Sequence, residues 1–278
     1  MDVMNPIKSM TTYCDAPQCS EPTYEERLTY EQWRERLYNM SQGKLNENDG
    51  YDCARCNNKG SIAYLKGLEL YKKPCECMKT REILKGIDDS GLKELIAKHT
   101  LKNFNADVPW REKLKDEAWR YLDDDNGKWF FIGGRSGGGK THICTGICYE
   151  FLKNKKQVKY MRFLGEVNEL KAAITDIGEY RRLINPIKKA EVLCIDDLFK
   201  TGSEGENLVM PTPADIRLMC EIIDYRAGRN LKTIISSEFS LTEIIGMNEA
   251  LGGRIKALCG EFCFYIDKSK PNYRLEGR

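Results

Sequence analysis

The chain has 278 residues, 41% hydrophobic and 31% charged, with 44 Lys plus Arg against 42 Asp plus Glu. That is enough for one large domain or two smaller ones with a buried core, and the near balance of charge excludes a global field for nucleic acid, leaving only local patches. The absence of any apolar run of about 18 residues excludes a membrane-spanning helix, and Met1 to Met10 lacks the apolar stretch of a secretory signal, so a cytoplasmic protein with reduced thiols is expected.

In chain order, residues 1–22 hold Pro6, Pro17 and Pro22 and little periodicity, and read as poorly ordered. Thr23 to Met40 reads as a helix, with Leu28, Trp33, Leu37 and Met40 near one face. Such a helix either packs on its own domain or docks a partner with Trp33 as anchor. Next come Cys53-Ala54-Arg55-Cys56 and Cys75-Glu76-Cys77, a C-x₂-C-x₁₈-C-x-C pattern. Two cysteine pairs at this separation have the arithmetic of a structural zinc site, because a C-x₂-C turn points two thiolates at one ion. Gly50 and Gly60 flank the first pair with permissive backbone, and Ile62–Leu65 with Leu68–Tyr71 reads as a hairpin or two short strands between the pairs. Cys14, Cys19 and His99 are further possible ligands, although four cysteines already close a tetrahedral site. Met78 to His99 reads as a helix broken at Asp88-Asp89-Ser90-Gly91. A domain boundary is expected near residue 105, separating a 1–105 zinc-binding module from a 106–278 ATPase domain.

After a helix over Trp110–Leu122, the apolar run Trp129-Phe130-Phe131-Ile132 leads into Gly133-Gly134-Arg135-Ser136-Gly137-Gly138-Gly139-Lys140-Thr141. From Gly134 this is G-x-x-x-x-G-K-T, followed at His142 by helical spacing through Ile143, Ile147 and Phe151. A strand before and a helix after are the context a phosphate-cradling P-loop needs. Glycines let the backbone N–H groups converge on phosphate oxygens, and the helix start offers its positive dipole end to the same anion. ATP is therefore the expected ligand of Gly134 to His142, with Lys140 on the β- and γ-phosphates and Thr141 on Mg²⁺. A second strand is expected over Val158–Phe163, then two helices split near Asp176–Glu179. Val192-Leu193-Cys194-Ile195-Asp196-Asp197 is an apolar strand ending in paired carboxylates, at the edge where open α/β sheets bind ligands. It matches a Walker B element, with Asp196 in the Mg²⁺ shell and Asp197 orienting the attacking water. Phe199–Pro213 reads as an exposed polar loop and Ala214–Ala227 as a helix. Thr233–Glu238 reads as a buried strand whose end senses the γ-phosphate through Ser237 or Glu238. Short helices over Leu241–Met247 and Glu249–Leu258 and one or two terminal strands complete the expected α/β fold. The six cysteines of this half lie in apolar patterns and read as small core residues.

Together these elements resemble the AAA+ helicase loaders of the DnaC/IstB type, especially phage and Gram-positive forms with a cysteine-rich N-terminal domain. The resemblance runs from about Cys53 to Asn272-Tyr273-Arg274-Leu275 and includes Cys-Ile-Asp-Asp, Ile-Ser-Ser-Glu-Phe and Leu-Gly-Gly-Arg-Ile. It implies a P-loop AAA+ parallel-sheet ATPase domain with a small zinc-binding α/β module in front. It further implies ATP-driven loading of a hexameric DnaB-type helicase onto single-stranded DNA. It also implies head-to-tail self-association in which Arg254 acts as an arginine finger on a neighbour's ATP, and it makes Arg274 a sensor 2 arginine. The chain departs from the family pattern in having Asp197 where many members carry Glu. A transposition helper ATPase of the same clade and a nucleotide-gated helicase-binding regulator are the alternative functions. Lys171, Arg181, Arg182, Lys188 and Lys189 are the basic residues that could meet DNA, or form a solvated face.

Overall fold

The computed structural model describes residues 24–124, 126–201, 203–204 and 207–273. Cys14, Cys19, Arg274, Leu275 and the stretch 1–22 lie outside the described residues. The described chain divides into two compact units, 1–81 and 82–278.

The first unit holds helix α1 (Tyr24–Met40), the short helix α2 (Leu45–Asp49), and strands β1 (Ser61–Lys66) and β2 (Glu69–Pro74). The strands pair antiparallel from Ser61↔Pro74 to Lys66↔Glu69 around the expected turn. Asn39 stitches α1 to this hairpin: its side chain donates to Ala63 O (3.0 Å) and accepts from Ala63 N–H (2.9 Å), filling vacant ladder positions of β1. Helix α1 thus packs on its own unit through Tyr38 and Asn39. Its other face stays open: Leu37 and Met40 are exposed, and Trp33 lines a groove against β2 of about 910 Å³. Helix α3 (Cys77–Ser90) starts at the fourth cysteine, and the division between units falls inside it.

In the second unit α3 ends at Gly91, which takes a left-handed φ of 77°, before the short helix α4 (Lys93–Ile96). Residues 82–105, expected with the N-terminal module, lie in this unit. The reason is packing: Leu92, Ile96, Leu101 and Phe104 are buried in one core with Ile143 and Ile147. The remaining elements are α5 (Pro109–Leu122), β3 (Phe130–Gly134), α6 (Lys140–Lys153), β4 (Val158–Arg162), α7 (Phe163–Ala172), α8 (Ile177–Lys189), β5 (Val192–Leu198), the two-residue strands β6 (Ser203–Glu204) and β7 (Asn207–Leu208), α9 (Pro213–Ala227), β8 (Lys232–Ser237), α10 (Leu241–Met247), α11 (Glu249–Cys259) and β9 (Cys263–Ile266). Five strands form one parallel sheet in the order β4-β5-β8-β3-β9.

Strand alternation divides the core cleanly. Phe130, Ile132, Tyr160, Cys194 and Ile234 join the core beneath α5 and α6, while Phe131, Met161, Leu193, Ile195 and Ile235 join the core beneath α7 to α11. Burial on both faces is why β5 reads as an unbroken apolar run rather than an alternating one. One expectation is corrected here. The loop after β5 was expected to be polar and exposed from Phe199, yet Phe199 is fully buried, edge-on to Phe163 with ring centres 5.5 Å apart. The turn carries Asp197 and Phe199 at left-handed φ of 57° and 65°, which swings the ring back into the core. At the C-terminus one strand is described, β9, with Tyr273 in a turn beyond it.

Arg226 is fully buried on α9, and its guanidinium meets oxygens of carbonyls and a hydroxyl. Its guanidinium donates to Ile187 O (3.2 Å), Lys188 O (3.1 Å), Ala190 O (2.8 Å), Thr233 Oγ1 (2.9 Å) and Lys232 O. Three of these oxygens close the C-terminus of α8, where the helix dipole favours a cation. Arg226→Met should therefore destabilise the protein by about 3 kcal/mol or more, by leaving several buried carbonyls unpaired. Thermal unfolding should show Tm lowered by roughly 6–12 °C; an unchanged Tm would show that these bonds contribute nothing net.

Candidate active site

The site forms at the carboxyl edge of the sheet. Strand β3 delivers the loop Gly134–Gly139, and α6 begins at its end with Gly139 as N-cap. Two glycines are obligatory by geometry. Gly134 has φ 105° and a Cβ there would collide with Ile266 O; Gly139 has φ 94° and a Cβ would press on the Phe104 ring. Lys140 is buried, with Nζ donating to Gly134 O (2.7 Å) and Arg135 O (2.9 Å), so its ammonium lies folded over the mouth of the loop. Burial lowers its pKa, and the nearby Asp197 and Glu238 carboxylates oppose that shift.

Asp196 is the hub. Its buried carboxylate accepts from Thr141 Oγ1 (3.1 Å) on α6, Tyr160 OH (2.6 Å) on β4 and Ser236 Oγ (2.5 Å) on β8. Burial first, then the Asp196 carboxylate, pushes the Tyr160 phenol far above its usual pKa, so it stays a donor. Asp197 points the other way. Its Oδ2 lies 3.1 Å from Lys200 Nζ, which also reaches Glu238 Oε1 at 2.8 Å. Burial would lower the Lys200 pKa, but Glu238 and Asp197 outweigh it and hold it raised; reciprocally, burial would raise Glu238 and Lys200 holds it low.

A cleft of about 190 Å³ is lined by Ser136, Gly137, Gly139, Lys140, Thr141 and His142 from the loop and α6. Asp197, Lys200 and Glu238 line it from the sheet edge, and His99, Arg111 and Tyr273 from the flanks. Of the two residues expected to compete at the end of β8, Glu238 lines the cleft. The Ser237 hydroxyl instead donates to Leu198 O (2.7 Å) and accepts from Phe239 N–H (3.1 Å), which ties down the neighbouring loop. His142 directs Nε2 at Thr100 O (3.0 Å) and Asn103 Oδ1 (2.9 Å). Gly138 and Arg135 complete the loop, Arg135 reaching Lys268 O with its guanidinium. Arg254, on α11, is outside the cleft lining and ion-paired with Asp224 of α9. Sequence reasoning missed Lys200, Tyr160, Ser236 and Arg111. Arg111 is buried with its guanidinium 4.7 Å from the Phe104 ring and 4.1 Å from the Tyr273 ring. Only the position of Lys200, three residues beyond the acid pair, offered a signal. Among the basic residues named for DNA, Lys171 pairs with Asp215, Arg182 with Glu179 and Lys188 with Glu221. Arg181 and Lys189 line a groove of about 510 Å³ with Lys159.

In the first unit, Cys53, Cys56, Cys75 and Cys77 are buried with all four sulfurs within 4.8 Å of one another. Cys53 and Cys75 sulfurs are 3.9 Å apart and those of Cys56 and Cys77 3.6 Å. A tetrahedral Zn–S bond of about 2.3 Å gives edges of about 3.8 Å, so the cluster has the dimensions to hold zinc. The knuckle uses Gly60 at φ 75°, as expected, and also Asn57 and Asn58 at 47° and 60°. Burial pushes the Cys56 thiol up, but the Gly60 N–H and the neighbouring thiols outweigh it and bring it to about 7, whereas burial drives Cys77 up to about 12. Four sulfurs this close cannot all ionise without a cation among them. Arg81 and Asn58 brace the cluster: Asn58 Oδ1 accepts from Cys53 N–H (2.7 Å) and from Arg81 (3.1 Å).

This sheet order, with a P-loop after the strand second from one edge and paired acids on β5, separated from that strand by β8, defines a P-loop ATPase of the AAA+ class. Residues 102–244 match the model of the IstB-like ATP binding proteins, and the chain belongs to that family. Two Bacillus subtilis (strain 168) proteins are similar to it. The uncharacterized protein YqaM is 29% identical over 219 residues, covering 74% of this chain and 68% of the relative. The phage-like element PBSX protein XkdC is 27% identical over 240 residues, covering 82% and 87%. The replicative helicase loader DnaC of Escherichia coli (strain K12) is 22% identical over 170 residues, covering 60% of this chain and 64% of the relative. The crystal structure of the DnaC helicase loader shares the fold at a TM-score of 0.51, with 18% identity over 63% of this chain and 98% of that one.

Proposed function

We propose that this chain is an ATP-driven loader that binds a hexameric DnaB-type replicative helicase and delivers it onto single-stranded DNA. The observation that carries this reading is the Lys140–Thr141–Asp196–Asp197 constellation in a chain similar to a helicase loader and fronted by a four-cysteine unit. The loop amides of Gly134 to Thr141 and the Lys140 ammonium bind the phosphates of ATP. Thr141 and Asp196 would hold Mg²⁺, which neutralises phosphate charge when bound. Asp197 orients the attacking water, and Glu238 lines the same cleft beside Lys200. Arg181 and Lys189 beside their groove are the candidates for the DNA backbone, and the Trp33 groove for the helicase. Arg274 retains the sensor 2 role only as an expectation from family likeness. The resemblance to the DnaC/IstB clade also leaves a transposition helper as the alternative; the cysteine unit favours the loader. Co-purification with the replicative helicase of its host, with and without ATP, tests the reading: retention of helicase supports it, and no retention in either state would sink it.

Zinc on Cys53, Cys56, Cys75 and Cys77 would contribute folding free energy to a unit with a small core of its own. Metal analysis should give about one zinc per chain, lost in Cys56→Ala together with the thermal stability of the first unit. Full retention of fold after strong chelation would overturn it.

Arg254 completes the proposed hydrolytic site from the next subunit, a heterologous contact. A finger supplied in trans is worth about 10³–10⁵ in rate. Lys140→Ala should lose nucleotide binding, whereas Arg254→Ala should bind ATP yet fail to hydrolyse it. Mixing the two should partly restore ATPase activity, since an intact cleft then meets an intact finger. Hydrolysis by Arg254→Ala at the parent rate, on helicase and DNA, would refute a shared site.

A further inference from the structure

The position just after β8 that lines the cleft holds an acid, Glu238, and the cleft also contains Asp197. Two carboxylates turned toward a polyphosphate are electrostatically adverse unless a cation stands with them. Lys200 is that cation. It sits 2.8 Å from Glu238 Oε1 and 3.1 Å from Asp197 Oδ2, on the lining of the same cleft as Lys140 and Thr141.

Its placement is built into the chain. The turn after β5 closes with Lys200 N–H donating to Asp197 O (2.9 Å), and two non-glycine residues, Asp197 and Phe199, adopt left-handed backbone to make it. Such conformations persist only where the surroundings over-determine them, and they cluster at functional sites. Here Phe199 and Leu198 are fully buried, and Leu198 O is held by the Ser237 hydroxyl. The turn is therefore anchored on both sides, and the one long side chain it sends toward the cleft is that of Lys200.

We infer that Lys200 reads the third phosphate of the nucleotide in cis. In the structure its ammonium neutralises Asp197, the acid proposed to orient water. With a γ-phosphate in the cleft, the ammonium has a stronger anionic partner than Asp197 while remaining beside Glu238. Exchange of partners then frees the Asp197 carboxylate only when the nucleotide is a triphosphate. No covalent bond is made or broken in this exchange. The role deepens the proposed ATPase site and rests on it, and it explains why an acid is tolerated at position 238: it holds the lysine, not the phosphate.

The test is calorimetric titration of the full-length protein with ADP and with a non-hydrolysable ATP analogue, each with Mg²⁺. Lys200→Met should weaken the triphosphate about tenfold or more, the worth of one charge-assisted hydrogen bond, and change ADP affinity less than about threefold. Retained ADP binding reports that the variant is folded. Lys200→Arg should recover most of the discrimination. In Lys200→Met/Glu238→Gln the cleft charge is rebalanced, and triphosphate binding should still lag ADP; full recovery there would reduce Lys200 to a counter-ion for Glu238 and overturn the inference. Equal weakening of both nucleotides, or no change in their ratio, would overturn it as well. If the parent protein binds neither nucleotide, the ATPase reading itself fails.

Discussion

A buried carboxylate must be satisfied by hydrogen bonds or it destabilises the fold around it. Asp196 meets this requirement with hydroxyls from three different elements: Thr141 on the phosphate-loop helix, Tyr160 on the edge strand and Ser236 on the central strand. The first acid of the pair is thus also a knot in the sheet. Its orientation is set by donors carried on a helix and two strands, so the core itself holds the carboxylate in place. The neighbouring acid is held differently: Asp197, near the end of β5, has its backbone N–H fixed on Ser236 Oγ (2.9 Å), while its carboxylate answers to the lysine Lys200.

That contrast marks how much of the molecule was legible in the residues. The phosphate loop, the acid pair, the strand alternation and the cysteine pattern follow from local chemistry, and local chemistry is what a sequence displays. Phe130 and Phe131 read as one apolar run, yet period two sends one ring to each core. What could not be read depended on long-range packing. Residues 82–105 look like the tail of an N-terminal module, and only the burial of Leu101 and Phe104 beside α6 assigns them to the second unit. Ser237 and Glu238 are adjacent letters of equal promise, and backbone direction alone separates them. Phe199 looks like the start of an exposed loop because the left-handed turn that returns it to the core leaves no glycine behind as a signal.

The four-cysteine unit shows the same division. The C-x₂-C and C-x-C spacings announce the ligands, whereas the asparagines at positive φ and the Arg81–Asn58 brace are visible only in three dimensions. Asparagine tolerates the left-handed region better than most residues, so Asn57 and Asn58 can share the turn with the anticipated Gly60.

Arg226 joins the last turn of α8 to the first residues of β8 through a single side chain. Helix and strand therefore cannot open separately: fraying of the helix end strands a buried guanidinium, and loss of the strand start does the same. Local opening in this region is a shared event, and α8 is enrolled in the same cooperative unit as the strand that carries Ser236 to the site.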